Sequence, residues 1–551
     1  MYDLVFVDTQ PATASRPPED TLKPDSLLVL EGKTIRTIHI YVHDPFETHL
    51  RDHKINSENL LFETGNRLHI RTQRSTIRNL LLFNDEEPFD LLLYEESARL
   101  VRSQHYLREV KFEVFPVTAD SVDIEVSVWD NWTIIPQVTA STSHLELRLK
   151  DNNFVGLGHA FKVGSRWNFN DGSNISRFDY QVPNIGNSYI NAGFHYAFSG
   201  STNVEQRLQV TRELFSPLAK WAGGLLIEKN YTSTRAILHD SVLELESKTH
   251  RDDFWLIKSW KLFSGNSVTA RTSNLIVSAR YLGLRYPGKP AGSQQANVFN
   301  DQQTVFVGLG FASRRYVKDR YLFDYGKIED VPAGRGAGLT FAYDRRSTAR
   351  WYGGARYTWG NYNESGFVSA NVEFGTFYSS GHFEQGVLRG SFTYFTPLLE
   401  AGSWRIRQFV KPEFVIGFNR KPTDLLSFNQ SMSDFENFQY QGKHTMALTL
   451  QLQTYAPYNL LGFRFGPFFF TTFGMLGDDD TGFRNSRLHA MIGIGTLVKN
   501  DYLIFNNFQF SLSYFPTLPG SGDHQFRFSS YETDDFRLTG IDISKPDFVR
   551  Y

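Results

Sequence analysis

Beyond Trp129 the chain alternates between apolar and polar or small residues in segments of about ten, with turn residues between them. TMALTLQLQT puts Met446, Leu448, Leu450 and Leu452 on one side and Ala447, Thr449, Gln451 and Gln453 on the other. FQFSLSYF sets Phe508, Phe510, Leu512 and Tyr514 against Gln509, Ser511 and Ser513, and SWRIRQ sets Trp404 and Ile406 against Arg405 and Arg407. A period of two is that of a strand. A soluble sandwich also alternates, but its apolar face rarely needs so many aromatic residues, nor its other face two arginines on one strand. A transmembrane barrel needs both, because one face meets lipid and aromatic girdles while the lumen is wet. The pattern predicts a mainly β chain whose larger part, residues 132–551, is a transmembrane antiparallel β-barrel.

Connection lengths point the same way. PYN and VKND (498–501) are short, whereas GDDDTGFRNSR (477–487) and PTLPGSGDH (516–524) are long and polar, as between the periplasmic and outer faces of such a barrel. About 420 residues, at roughly 26 per strand with its connection, give about sixteen strands. Counting segments directly gives sixteen to nineteen.

The first quarter of the chain has a different rhythm. Residues 1–33, rich in Pro, Thr, Ser and Asp, read as a flexible leader. TIRTIHIYV is a strand with uneven alternation of Ile35, Ile38 and Ile40. STIRNLLLF (75–83) and FDLLLYEESARLVRS (89–103) read as helices. In the second, Tyr94, Ala98 and Val101 fall on one stripe beside Leu93 and Leu100. Two strands follow: LREVKFEVFP with Val110, Phe112 and Val114 on one face, and SVDIEVSVWD with Val122, Ile124, Val126 and Val128 opposite Asp123, Glu125 and Ser127. The result is a small α+β unit, β-α-α-β-β, over residues 34–131. With helices on one face and an open edge, it can accept a strand from another chain.

Composition trims the functional classes. Over 551 residues, 57 basic and 59 acidic side chains leave a net charge of −2 and no basic field for nucleic acid. No apolar run is long enough to cross a bilayer as a helix. The absence of cysteine excludes disulfides and thiolate metal sites and suits an oxidising compartment. MYDLVFVDTQPATASRPPEDTLKPDS lacks the regions of an export signal, so a signal has been removed or this start is not the native one. Neither G-x-S-x-G, H-E-x-x-H nor a P-loop occurs, so no catalysis and no cofactor is expected. GDDD (477–480) reads as a solvated outer loop before a cation site, and His43 and His49 as members of a surface loop.

DNNFVGLGHAFKVG (151–164) carries Gly156, Gly158 and Gly164 at even spacing, which puts them on one face of a following strand where the chain can bend or another element approach. The order of the α+β unit, NWTIIPQ, NNFVGLGHAF and FDYQVPNIGNSYINAGFHY resembles the bacterial surface antigen superfamily of outer-membrane assembly factors, of the BamA/TamA-like kind. The α+β unit resembles that family's POTRA domain, and ETGNRLHIRT, LLLF and LYEESARLVRSQHYLREV are similar to the single-POTRA form of Bacteroidetes.

The resemblance implies a barrel of sixteen strands in the bacterial outer membrane, with the N-terminal domain in the periplasm and a weak seam between first and last strands. The first strand, NWTIIPQVTA, begins near Trp132 and contains Pro136, which either weakens the seam or lies outside the paired segment. The resemblance also implies a lid loop with an arginine-glycine-aromatic tip. Its equivalent here is residues 428–443, with Asp434, Phe435, Glu436, Asn437 and Phe438 at the tip, where the aromatic is kept but arginine and glycine are not. With Glu436 in place of arginine an acidic wall repels the tip, so the loop is displaced or is held instead by a basic lumen patch such as Arg405 and Arg407; the other reading is a variable outer loop. Arg389, in VLRGSF, reads as an ordinary lumen residue. The implied function is insertion or translocation of outer-membrane proteins. Implied partners are outer-membrane lipids and other outer-membrane or periplasmic proteins, met through the α+β unit and the seam. A structural subunit of a larger complex, or a passive pore, is the alternative.

Overall fold

The computed structural model describes residues 27–46, 60–140, 143–169, 172–199, 203–238, 241–288, 300–323, 325–346, 348–428, 441–460, 463–500, 508–516, 525–531, 540–541, 543 and 545–551. Its N-terminal module has a sheet of β1 (Thr34–His43), β2 (Leu107–Pro116) and β3 (Ser121–Asp130), with helices Leu60–Leu68, Arg74–Arg78 and Leu91–Arg102 between β1 and β2. The sheet order is β1-β3-β2, with β1 parallel and β2 antiparallel to the central strand. Val122, Ile124, Val126 and Val128 on β3 are fully buried against Tyr94, Ala98 and Val101 of the long helix, the stripe expected from the sequence. A register shift between Ile35 and Thr37 accounts for the uneven alternation of β1.

Three expectations change here. STIRNLLLF gives only the five-residue helix Arg74–Arg78; turns follow, so that Ile77, Leu80, Leu81 and Phe83 all reach the core. His43 lies in β1, stacked on Trp129 at 4.7 Å rather than in a loop, while His49 is outside the described residues. Residues 1–26 of the expected leader also lie outside them, but Leu27 and Leu30 belong to the module's core, so the packed unit begins before Thr34.

The remainder is one large antiparallel sheet. Its strands are β4 (Ile134–Ala140), β5 (His144–Phe154), β6 (His159–Asn168), β7 (Asn174–Val182), β8 (Asn191–Ser199), β9 (Asn203–Arg212), β10 (Trp221–Leu238) and β11 (Ser241–Lys261). They continue with β12 (Ser273–Gly288), β13 (Gln302–Arg320), β14 (Ile328–Arg345), β15 (Ala349–Asn363), β16 (Gly366–Ser379), β17 (His382–Phe395), β18 (Leu399–Ala401) and β19 (Trp404–Phe418). Last come β20 (His444–Tyr455), β21 (Asn459–Leu460), β22 (Phe463–Gly477), β23 (His489–Asn500), β24 (Phe508–Phe515) and β25 (Gln525–Tyr531). β18 and β21 are short continuations beyond β17 and β20, and the order runs round a ring in which β25 neighbours β4.

The strands number about 20, more than the expected sixteen. The difference arises early: six strands of no more than 11 residues fit between Ile134 and Arg212, joined by tight turns, where the average spacing allowed about half as many.

The faces are those of a barrel in lipid. On β13, Val305, Val307 and Leu309 point outward and are about half exposed, while Thr304, Phe306 and Arg314 are buried inside. Leu339, Phe341, Trp351 and Tyr357 continue the apolar exterior on β14 and β15. Met446 and Leu452 face out and Ala447, Gln451 and Gln453 in, and on β24 Phe510 and Leu512 face out while Gln509, Ser511 and Ser513 are buried. An exterior of Leu, Phe and Trp around an interior of Gln, Ser, Thr and Arg inverts the order of a water-soluble protein.

Candidate functional site

Two places gather polar side chains from distant parts of the chain: the junction between module and barrel, and the lumen. At the junction the long helix of the module lies along the barrel's turns. Its Tyr94, Ala98 and Val101 face the module core, which turns Glu95, Glu96, Arg99 and Arg102 toward the barrel. Arg102 makes two bonds to Asp330, at 3.1 and 2.8 Å, and Glu95 meets Lys318 at 2.6 Å. Glu96 accepts from the Ser216 hydroxyl at 2.9 Å, and Arg99 donates to the Phe215 carbonyl at 2.7 Å and lies over the Tyr316 ring. Asp90, which caps the helix by accepting from the amides of Leu92 and Leu93, also pairs with Arg271 at 2.7 Å.

The stretch DNNFVGLG is part of this junction. β5 ends at Phe154 and β6 begins at His159, so Gly156 and Gly158 form the turn and do not share a strand face with Gly164, as the even spacing had suggested. Both have positive φ, +74° and +71°, which a turn this tight needs. The Gly156 carbonyl accepts from the Gln73 amide at 2.8 Å and the Thr76 hydroxyl at 3.1 Å, and a Cβ on Gly156 would overlap the carbonyl oxygen of Arg71. Asn153, 1% exposed, accepts from the Gly158 amide at 2.7 Å and donates to the Thr72 hydroxyl at 2.7 Å. Thr72 donates in turn to Asp130, whose carboxylate also contacts His69 Nε2 at 2.8 Å.

The seam residues separate. Trp132 precedes β4: its indole donates to the Ile134 carbonyl at 2.6 Å and its ring lies beside Phe46 and His69 of the module, so it shapes the link between the two parts rather than the seam strand. Pro136 is inside β4, opposite Leu149 of β5, so the first strand does lack one amide donor within its paired length.

Arg405, Arg407 and Arg389 all face inward. Arg407 is fully buried. It bonds Asp319 at 2.7 Å and the carbonyls of Tyr321, Thr396 and Arg320 at 2.9, 2.8 and 2.8 Å, while Arg405 covers the Tyr321 ring. The two arginines thus clamp the connection between β13 and β14. They stand at the end of β19 away from the 419–443 connection. Asp434, Phe435, Glu436, Asn437 and Phe438 lie outside the described residues. The roots of that loop are described: Leu426 pairs with Gly442, and Phe428, 1% exposed, packs with Phe468, Phe470, Met491 and Phe515 on the inner wall. Asp478 of GDDD turns its carboxylate back on its own loop, accepting from the amide and hydroxyl of Thr481 and from the amide of Asp480, and those bonds hold it below the usual carboxylate range.

Sequence reasoning missed the lumen's occupant. Ile541, Ile543 and Lys545–Tyr551, beyond the last strand, run up the inner wall. Ile541 lies over Gly336 and Gly360, Ile543 over Gly310 and Gly338, and Pro546 over Gly308; a Cβ at Gly310 would overlap Ile543. Phe548 packs against Phe306, Tyr352 and Phe377 with ring centroids 4.7, 4.8 and 5.0 Å away. Below it, Arg280 and Asp253 form a buried two-bond pair at 2.7 and 2.8 Å, joined by Lys545 at 3.2 Å and Asp547 at 3.1 Å. Tyr551 donates to the Lys443 carbonyl at 2.8 Å under the Arg420 guanidinium. The recoverable signal was glycine at alternate inward positions of β13 and β14, with Gly360 beside them on β15, a mark of close approach.

No protein-family model matches this chain, and no curated protein does. Among solved structures it is similar to BamA from Haemophilus ducreyi lacking POTRA domains 1–3, at 12% identity and a TM-score of 0.31, over 90% of this chain and 85% of that one. It is also similar to CdiB from Escherichia coli, at 11% identity and a TM-score of 0.44, over 91% of this chain and 76% of that one. For CdiB from Acinetobacter baumannii the identity is 11%, the TM-score 0.38 and the coverage 85% and 74%.

Proposed function

We propose that this chain is a bacterial outer-membrane barrel that helps insert or translocate other outer-membrane proteins, with its POTRA-like module in the periplasm. The observation that carries the reading is the attachment of a strand-edged α+β module to the end of a lipid-facing barrel opposite its two longest connections, 289–301 and 419–443, since the long loops belong on the outer side. A client strand arriving from the periplasm meets the module first. Of the two outer strands, β1 is crossed by Glu86–Phe89, which bond to Lys33 and Ile35, so β2 is the better edge for strand addition. Beside it, Pro136 weakens the ladder of the first barrel strand where the ring meets β25. No step of this reading needs catalysis or a cofactor.

A structural subunit of a larger envelope complex is the second reading, favoured by about 20 strands and a lumen lined by the chain's own segment. That occupied lumen speaks against a passive pore. A photo-reactive residue at Lys111 on β2, and another at Thr139 on β4, separates the first two. Cross-links to many newly made outer-membrane proteins are expected; cross-links to one fixed, stoichiometric set at both positions would overturn the assembly role in favour of the subunit.

A further inference from the structure

We propose that the inner wall of β12–β15 is a binding groove for an extended peptide, that Ile541, Ile543 and Lys545–Tyr551 occupy it as a resident ligand, and that their release opens the lumen. The inference does not depend on which client or complex the barrel serves. Its first support is the shape of the wall. Gly308, Gly310, Gly336, Gly338 and Gly360 offer backbone where side chains would otherwise fill the lumen, and Ile541, Ile543 and Pro546 lie in the trough they leave. The second is the manner of holding. Among the described residues the segment is not a strand of the sheet; its backbone is held by the Val549 amide donating to the Tyr352 hydroxyl at 2.8 Å and by Arg280 donating to the Pro546 carbonyl at 2.9 Å.

The third support is electrostatic. Arg280 and Asp253 already satisfy one another through two bonds, so departure of Lys545 and Asp547 leaves a paired wall and no orphaned charge. A groove whose charges are complete without its occupant survives the occupant's exchange. The ligand it fits is an extended segment with apolar residues two apart, then a basic and an acidic residue flanking proline, then an aromatic ring for the Phe306–Tyr352–Phe377 pocket.

The cysteine-free chain permits a test in the whole protein. A Cβ on Gly308 would stand 3.4 Å from the Cβ of Pro546, close to the separation a disulfide needs, but would overlap the Ser278 hydroxyl, so S278A/G308C/P546C can be locked and unlocked by oxidation and reduction. In planar bilayers the oxidised protein is expected to stay closed and the reduced protein to show openings. Equal conductance in the two states overturns the proposal. I541S/F548A, which alters only the segment and leaves the wall intact, is expected to open steadily and to be closed again by a synthetic peptide of residues 541–551 and not by a scrambled one. A folded I541S/F548A barrel that conducts like the unaltered chain, or that ignores the peptide, also overturns it.

Discussion

Replacing Gly156 by alanine should loosen the module's hold on the barrel at this turn while leaving each part folded. At φ +74° an alanine costs about 1–2 kcal/mol through the clash of its Cβ with the neighbouring carbonyl. That cost is only the beginning here, because the new Cβ overlaps the Arg71 carbonyl oxygen, a main-chain atom that cannot rotate aside. The turn must move, and the bonds from Gln73 and Thr76 to the Gly156 carbonyl lengthen or break, at about 1 kcal/mol each. Two neighbours serve as internal scales. Gly158, at φ +71°, faces the side-chain atoms Thr76 Cγ2 and Tyr106, which can yield, and Gly172, at φ +66°, has nothing within 4 Å. The expected order of effect is therefore G156A, then G158A, then G172A, the last showing the backbone cost alone. Hydrogen exchange read by mass spectrometry in detergent micelles should show loss of protection at residues 72–76 and 153–158 in G156A, with the protection of β3 and of β13 unchanged. If G156A keeps wild-type protection across the junction, or ranks with G172A, the turn does not fasten the module and the reasoning fails.

The lipid-facing exterior predicts that Leu309→Arg costs about 2–4 kcal/mol near the membrane midplane, whereas Gln303→Arg at the end of the same strand costs little; equal tolerance in refolding into vesicles would refute that orientation. Arg102→Ala and Asp330→Ala should each loosen the module, and the double-mutant cycle should give a coupling of about 1–2 kcal/mol in urea unfolding, since the pair is largely buried and makes two bonds. Arg407→Met should cost about 3 kcal/mol by leaving Asp319 and three carbonyls short of a donor, read as a lower temperature for the heat-modified shift on electrophoresis; an unchanged shift would count against the clamp. Asp123 is held below the usual carboxylate range by its hydrogen bond from Arg36, so its stabilisation is present above the unfolded value of about 3.9 and is lost as pH falls through the lower folded value. The exposure of Arg36 keeps that effect small. Wild type and Asp123→Asn should accordingly differ in melting at about pH 6 and converge at about pH 2, and a difference that grows on acidification would contradict the assignment.

The sequence by itself determined which residues face which way. Alternation with a period of two put Met446, Leu452, Phe510 and Leu512 outside and Gln451, Gln453, Ser511 and Ser513 inside, and the helical stripe of Tyr94, Ala98 and Val101 marked the module core. These are local consequences of strand and helix geometry, which a short stretch of chain carries within itself. Strand number was not local in this sense: six short hairpin strands before Arg212 left fewer residues per strand than the average allowed. Nor were the roles of particular polar residues. Gly156 and Gly158 have a spacing that suits a strand face as well as a turn, and only the module's arrival at Gln73 and Thr76 made them a turn. Arg407 pointed inward as its alternation required, but the β13–β14 connection, some 80 residues earlier in the chain, decided which carboxylate and carbonyls it would hold. The occupant of the lumen depended most on tertiary structure. Ile541 and Phe548 lie far in sequence from Gly336, Gly360, Phe306 and Tyr352, and the pairing of a glycine trough with an apolar segment exists only once the sheet has curled round to bring them together.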